Sequence, residues 1–261
     1  MTEELGKIEK PPAGDIATKR KVYVAPLVYP LPGAPDGYAT RLAAYWKAVD
    51  DHTGGLETRA GIVKRVFVEG VGFGGQPGMD QLKQTNLPVF PLVYGRVSAG
   101  ATLEALDDDE LFLEELDWRR IIQGGFASRK VAETVQESFD KASEDRIAHM
   151  AKSLREKIED GEAALLIISS TRGLDIPDDI EQFHIMPPEL DALSRWIQET
   201  AQAQEAELQA PHAGVRDGPC VRDKGLGNPA RSPTGRHDLL RRRNALLPPD
   251  RRYRNTAYDG A

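Results

Sequence analysis

Ala163-Ala164-Leu165-Leu166-Ile167-Ile168-Ser169 is the stretch that decides the fold. Six apolar residues with no polar alternation predict a strand buried on both faces, the central position of a parallel sheet. Gly161 just before it stops the longest helix of the chain, roughly 129–160, for which Ser128 is the expected N-cap. Upstream, the β-branched and aromatic run Lys21 to Tyr29 is a first strand, closed by Pro30, Pro32 and Gly33. Leu42, Tyr45, Trp46 and Val49 recur at helical spacing and predict an amphipathic helix that ends near Gly54-Gly55.

Ile62 to Val68 reads as a second strand, punctuated by Glu69. A Gly-rich turn, Gly70 to Gly78, then leads into a short helix around Met79 to Gln84. Val89 to Val97 reads as a third strand, with Pro91 pointing to a sheet edge or a bulge. Asp107-Asp108-Asp109-Glu110 opens a helix through Leu111, Leu113 and Leu116 to Trp118. Beyond the central strand, Gln182 to Met186 is a short strand, and Pro187-Pro188 starts a last helix. Strands alternating with helices predict an α/β fold: a single layered domain over 21–208 with a mostly parallel sheet flanked by helices.

The charge changes character near residue 210. Residues 1–210 carry 23 Lys+Arg against 36 Asp+Glu, whereas 211–261 carry ten Arg and one Lys against five Asp and no Glu. That predicts a flexible arm over 1–20 and a disordered Arg/Gly/Pro-rich tail over 209–261. The tail is either a phosphate- or RNA-binding segment or the product of an out-of-frame extension. The one cysteine, Cys220, excludes an internal disulfide. With no signal-like N-terminus and no apolar run near the roughly 20 residues of a membrane span, the expectation is a cytoplasmic protein without a membrane partner.

Glu69 is the first candidate for chemistry, because open α/β sheets bind ligands at the carboxyl ends of their strands. A carboxylate there can bind a metal, act as a general base, or pair with an arginine. Arg146 falls on the apolar stripe of the long helix, and a guanidinium there must find a carboxylate, a phosphate or water. An Arg146–Glu69 pair satisfies both without catalysis. His149 shares that helix face, three residues on. Ser169-Ser170-Thr171-Arg172-Gly173 follows the central strand, so Ser170 and Arg172 are candidates to hold an anion. Gly70-Val71-Gly72-Phe73-Gly74-Gly75 satisfies G-x-G-x-x-G, but the next strand as read ends Tyr94-Gly95-Arg96, with no acidic residue for a ribose, so a flexible connection is the better reading. The acidic run 107–110 is explained by the helix dipole rather than by a metal.

Two segments resemble the superfamily that contains the TraB/GumN (Tiki-like) proteins and the erythromycin esterases. Val66-Phe67-Val68-Glu69 is similar to that family's early strand ending in glutamate. Asp145-Arg146, through Met150-Ala151 to the apolar strand and Ser169-Ser170-Thr171-Arg172-Gly173, is similar in layout to its later block. The resemblance implies a metal-assisted hydrolase with Glu69 as ligand or base and Arg146 facing the site. Thr171-Arg172 stands where the family carries a histidine. The element order also resembles the α/β middle domain of peptide-chain release factors, which implies a ribosome-associated role.

Three functions therefore stand as expectations. The first is a hydrolase-like enzyme, acting on a small molecule or peptide, with Glu69, Arg146 and His149 catalytic, Ser170 and Arg172 binding, and a divalent metal as candidate cofactor. The second is an RNA- or ribosome-associated binding protein, with nucleic acid bound by the basic tail. The third is a non-catalytic scaffold in which Glu69 and Arg146 form a buried pair.

Overall fold

The computed structural model describes residues 19–31 and 33–209, with side chains through residue 206. Of the arm expected over 1–20 only Lys19 and Arg20 are described, and Arg20 already belongs to a strand; of the tail expected over 209–261 only Gln209 is described, at the end of a helix, and Cys220 lies outside the described residues. The chain divides into two units, Met1–Pro30 with Asp36–Ile197, and Leu31–Pro35 with Gln198–Ala261. The sheet and every candidate residue belong to the first.

Five strands form one sheet: β1 (Arg20–Pro26), β2 (Val63–Val68), β3 (Thr102–Glu104), β4 (Ala163–Ile168) and β5 (Ile180–His184). Their order is β3-β2-β4-β1-β5 and every pairing is parallel. All six residues of β4 are buried at the centre, as their unbroken apolar run requires. Among the described residues six helices connect and follow the strands: α1 (Tyr38–Ala60), α2 (Gly75–Thr85), α3 (Phe90–Ser98), α4 (Asp109–Gln123), α5 (Arg129–Lys157) and α6 (Pro188–Gln209). No helix among the described residues is long and apolar enough to cross a membrane.

Alternation along the strands divides the core into two layers. Val22, Val24, Phe67, Ala164, Leu166 and Ile168 pack against Met150, Ala151 and Leu154 of α5. Tyr23, Ala25, Val66, Val68, Leu165 and Ile167 are buried on the opposite face. There α1 is tied to β1, because the Tyr45 hydroxyl donates to the Pro26 carbonyl.

Several elements differ from the sequence expectation. Residues 90–98 form a helix and not the third strand. Pro91 sits in its first turn, where proline lacks no needed donor, and Val89, Leu92 and Val93 bury one helical face. The true third strand, Thr102–Glu104, is too short to show a period. α1 runs through Gly54 and Gly55 to Ala60, and α2 begins at Gly75, four residues early. Ser128 occupies the N-cap of α5 but makes no side-chain cap bond there.

Candidate functional site

The ends of β2, β3 and β4 converge with α4 and α5 on one buried guanidinium. Arg146 is 5% exposed. Its Nε donates to Asp107 Oδ1 at 2.6 Å and one Nη to Asp107 Oδ2 at 2.8 Å, a two-bond fork on a single carboxylate. The other Nη reaches Glu115 Oε2 at 2.9 Å, and the first also reaches Glu69 Oε1 at 3.3 Å. The Phe112 ring lies 4.8 Å from the guanidinium carbon and closes one face of it. Every nitrogen of Arg146 therefore has a protein carboxylate.

Backbone bonds hold the three carboxylates in place. The Glu69 amide continues the ladder by donating to Ile167 O at 2.9 Å, and its Oε2 accepts the Ser169 N–H at 2.6 Å, which bridges β2 to β4. Gly70 adopts φ 79°, open to glycine at little cost, and its N–H then donates to Asp107 Oδ2 at 2.6 Å. The Asp107 amide in turn donates to Val71 O at 3.2 Å. Glu115 is the one buried residue of α4 and also accepts from Arg119 on its own helix.

The electrostatics follow from this packing. Burial opposes the charge on Arg146, but the hydrogen bonds and charge of Asp107, then Glu115 and Glu69, outweigh it and hold the guanidinium protonated more firmly than usual. Tyr29 places its hydroxyl beside this cluster, near the position of Gly70. Burial first, and then the Glu69 charge, push its phenol well above the ordinary tyrosine range. About two-fifths of the Tyr29 surface is nevertheless exposed, so the ring caps the cluster with its polar end inward.

The other expected residues lie at the margin or outside. His149 is half-buried and lines a cleft of about 250 Å³ with Asp107, Asp108, Lys152 and Ser153. Ser170 and Arg172 are exposed, and the Ser170 hydroxyl accepts the Arg172 N–H at 3.1 Å within the loop itself. It is Ser169, through its backbone, that touches Glu69. The Gly-rich segment is tight where flexibility was expected. A Cβ on Gly78 would lie 2.1 Å from the Phe73 carbonyl oxygen, and one on Gly74 would lie 3.2 Å from the Leu103 oxygen, so close packing accounts for these glycines.

A divalent metal does not fit this cluster. The carboxylates it would need already surround Arg146, whose charge fills the place of a cation. Among the described residues no group of three His, Cys, Asp or Glu is arranged to hold a metal ion.

No protein-family model matches the chain, and no curated protein or solved structure matches it. The site is therefore read from its own geometry.

Asp107 and Glu115 were not expected as partners of Arg146. Asp107 belongs to the acidic run that the sequence assigns to the helix dipole, yet it precedes α4: Asp108 is the cap, accepting from the Glu110 and Leu111 amides at 3.0 and 3.1 Å. Glu115 had a legible signal, because its neighbours at i−4, i−3, i+3 and i+7 are the apolar Leu111, Phe112, Trp118 and Ile122.

Proposed function

We propose that this protein is a non-catalytic interaction module in which the Arg146 cluster locks a helical hairpin, α4–α5, onto the carboxyl edge of the sheet. The observation that supports this reading is the full engagement of Arg146 by carboxylates from β2's end, β3's end and α4. Four of the five guanidinium N–H donors are taken up by these carboxylates. Glu69 accepts from Arg146 on one oxygen and from the Ser169 N–H on the other, which holds the carboxylate ionised and fixed in orientation.

The hairpin is the part that such a lock would present. In the N-terminal half of α5 the buried side chains before Arg146 are Val135 and Ala142, whereas Met150, Ala151 and Leu154 anchor the other half in the core. The experiment is a comparison of Glu69→Gln with the unaltered chain for unfolding midpoint and for turnover of ester and peptide substrates. The module reading expects a lowered midpoint and no Glu69-dependent turnover. Turnover abolished by Glu69→Gln with the midpoint intact would overturn it.

A second reading is a hydrolase-like enzyme acting on a small molecule or peptide. It is favoured by the cleft at the ends of β2 and β3, where His149 lies beside Asp107 and Asp108. In that reading His149 is the general base, and Arg146 orients Asp107 without touching the substrate.

A further inference from the structure

A stripe of α1 lines a cavity of about 450 Å³ beside the edge strand β5. His52, Gly55, Leu56 and Arg59 stand at i, i+3, i+4 and i+7 on the helix, and His184 and Ile185 at the end of β5 complete the wall. That volume is in the range of small-molecule sites. Gly55 keeps the cavity open. Its backbone is ordinary helix and a Cβ there would meet nothing within 4 Å, so neither conformation nor close packing calls for glycine. Glycine weakens a helix interior, and at this position the missing side chain leaves the cavity its room.

The charge along this wall is left positive. The acids on the second half of α1 each have a cation: Asp51, which also lines the cavity, pairs with Lys47 at 2.6 Å, and Asp50 and Glu57 pair with Arg96 at 2.8 and 3.3 Å. Arg59 has no carboxylate of its own among the described residues, in contrast to Arg65, Arg96 and Arg146. The ring of His52 is oriented by its helix. Its Nδ1 bonds to the Ala48 carbonyl at 2.8 Å, which makes that nitrogen the donor and leaves Nε2 for a ligand. His184 brings a second imidazole from a distant part of the sequence.

We propose that this cavity binds a small organic phosphate, its phosphoryl group held by Arg59, His52 and His184 and its apolar body set against Leu56 and Ile185. A guanidinium fork takes two oxygens of an anion. A carboxylate has no third oxygen for the imidazoles, whereas a phosphate monoester has one. The imidazoles suit a phosphate in either of its charge states. As imidazolium they donate to an ionised oxygen, and as neutral rings they accept from a protonated one. The inference goes beyond the interaction-module reading and does not rest on it, because no residue of the Arg146 cluster lines this cavity.

The test is isothermal titration calorimetry of the full chain with phenyl phosphate, benzoate and phenol at neutral pH. Phenyl phosphate should saturate with a dissociation constant of about 1 mM or below, and benzoate and phenol should bind at least about tenfold more weakly. Arg59→Gln should weaken phenyl phosphate at least about tenfold. Arg59 is exposed, so this variant should fold as the parent does. Gly55→Leu should fill the cavity and abolish binding while its unfolding midpoint stays level or rises, because leucine is the better helix former. In NMR spectra the imidazole signals of His52 and His184 should move with phenyl phosphate while those of His149 stay in place. No saturation by about 10 mM, benzoate binding as tightly as phenyl phosphate, or binding indifferent to Arg59→Gln overturns the proposal. So does a shift confined to His149, which would put the phosphate in the cleft beside Arg146. The Glu69→Gln midpoint tests the module reading alone, so either can fail without the other.

Discussion

Replacing Arg146 with methionine should be among the most damaging single changes in this protein. Methionine fills much of the arginine stem's volume, so the loss is chiefly the charge and its four hydrogen bonds. Three carboxylates then face each other with Arg119 as the remaining cation in contact, and the Asp107 side chain is wholly inaccessible to water. Breaking a buried pair from one side costs about 3–5 kcal/mol, because the stranded charge keeps its desolvation penalty. With three stranded acids the upper part of that range applies. In a domain of this size, about 2–4 °C per kcal/mol converts a loss of about 4–5 kcal/mol into a drop of roughly 8–20 °C in the unfolding midpoint. Circular dichroism melts of the full chain at neutral pH measure it. Arg146→Lys should fall between, since one ammonium keeps the charge but cannot fork Asp107 while reaching Glu115. A methionine variant that melts within about 2 °C of the parent would refute the reasoning, since that is less than 1 kcal/mol.

Other predictions follow from packing and titration. Gly78→Ala should destabilise by about 1–3 kcal/mol, because its Cβ meets backbone at the Phe73 carbonyl. Gly54→Ala, mid-helix with nothing within 4 Å, should stabilise by about 0.5–1 kcal/mol. Urea unfolding of both variants checks the pair, and a shared sign would contradict the packing account. Burial raises the phenols of Tyr29, Tyr38 and Tyr45, and raises Tyr23, with a smaller contribution from Glu57, to about 12. The native state thus holds protons that the unfolded chain gives up near pH 10. This stability is complete below pH 10 and is lost as pH rises toward 12. Absorbance at the tyrosinate band should show delayed ionisation coincident with unfolding; all tyrosines titrating near their ordinary value in a folded chain would contradict it.

What was legible in the sequence depended on the reach of the signal. β4 was readable because six consecutive apolar residues admit only a buried centre. Arg146 was readable as a charge on an apolar stripe that had to be paired, and Glu69 as a carboxylate at a strand end. The pairing with Asp107 was hidden because it depends on β3, a three-residue strand with no periodicity of its own. The mistaken strand at 89–97 hid it further, since β-branched residues and a proline suit a helix start as well as a strand edge. The third partner, Glu115, required α4 to cross α5 at one particular level, and no local pattern specifies a crossing.

The acidic balance also has a structural explanation. Arg65 sits among Glu104, Glu159 and Glu162, and Arg96 between Asp50 and Glu57. With Arg146, three arginines are each gripped by several acids. Part of the carboxylate excess is therefore taken up in holding these arginines.

The central claim is that the carboxylate–arginine cluster is a lock and not a reaction centre, and the unfolding midpoint of Glu69→Gln tests it most directly. The amide can still accept from Ser169, but it presents an NH₂ group to Arg146, which keeps Asp107 and Glu115. Losing one charge-assisted bond of this kind costs about 1.5–3 kcal/mol. The account predicts a midpoint lowered by roughly 3–12 °C at neutral pH. A midpoint unchanged or raised would contradict it, because a carboxylate held at a cost to stability is the mark of a functional group.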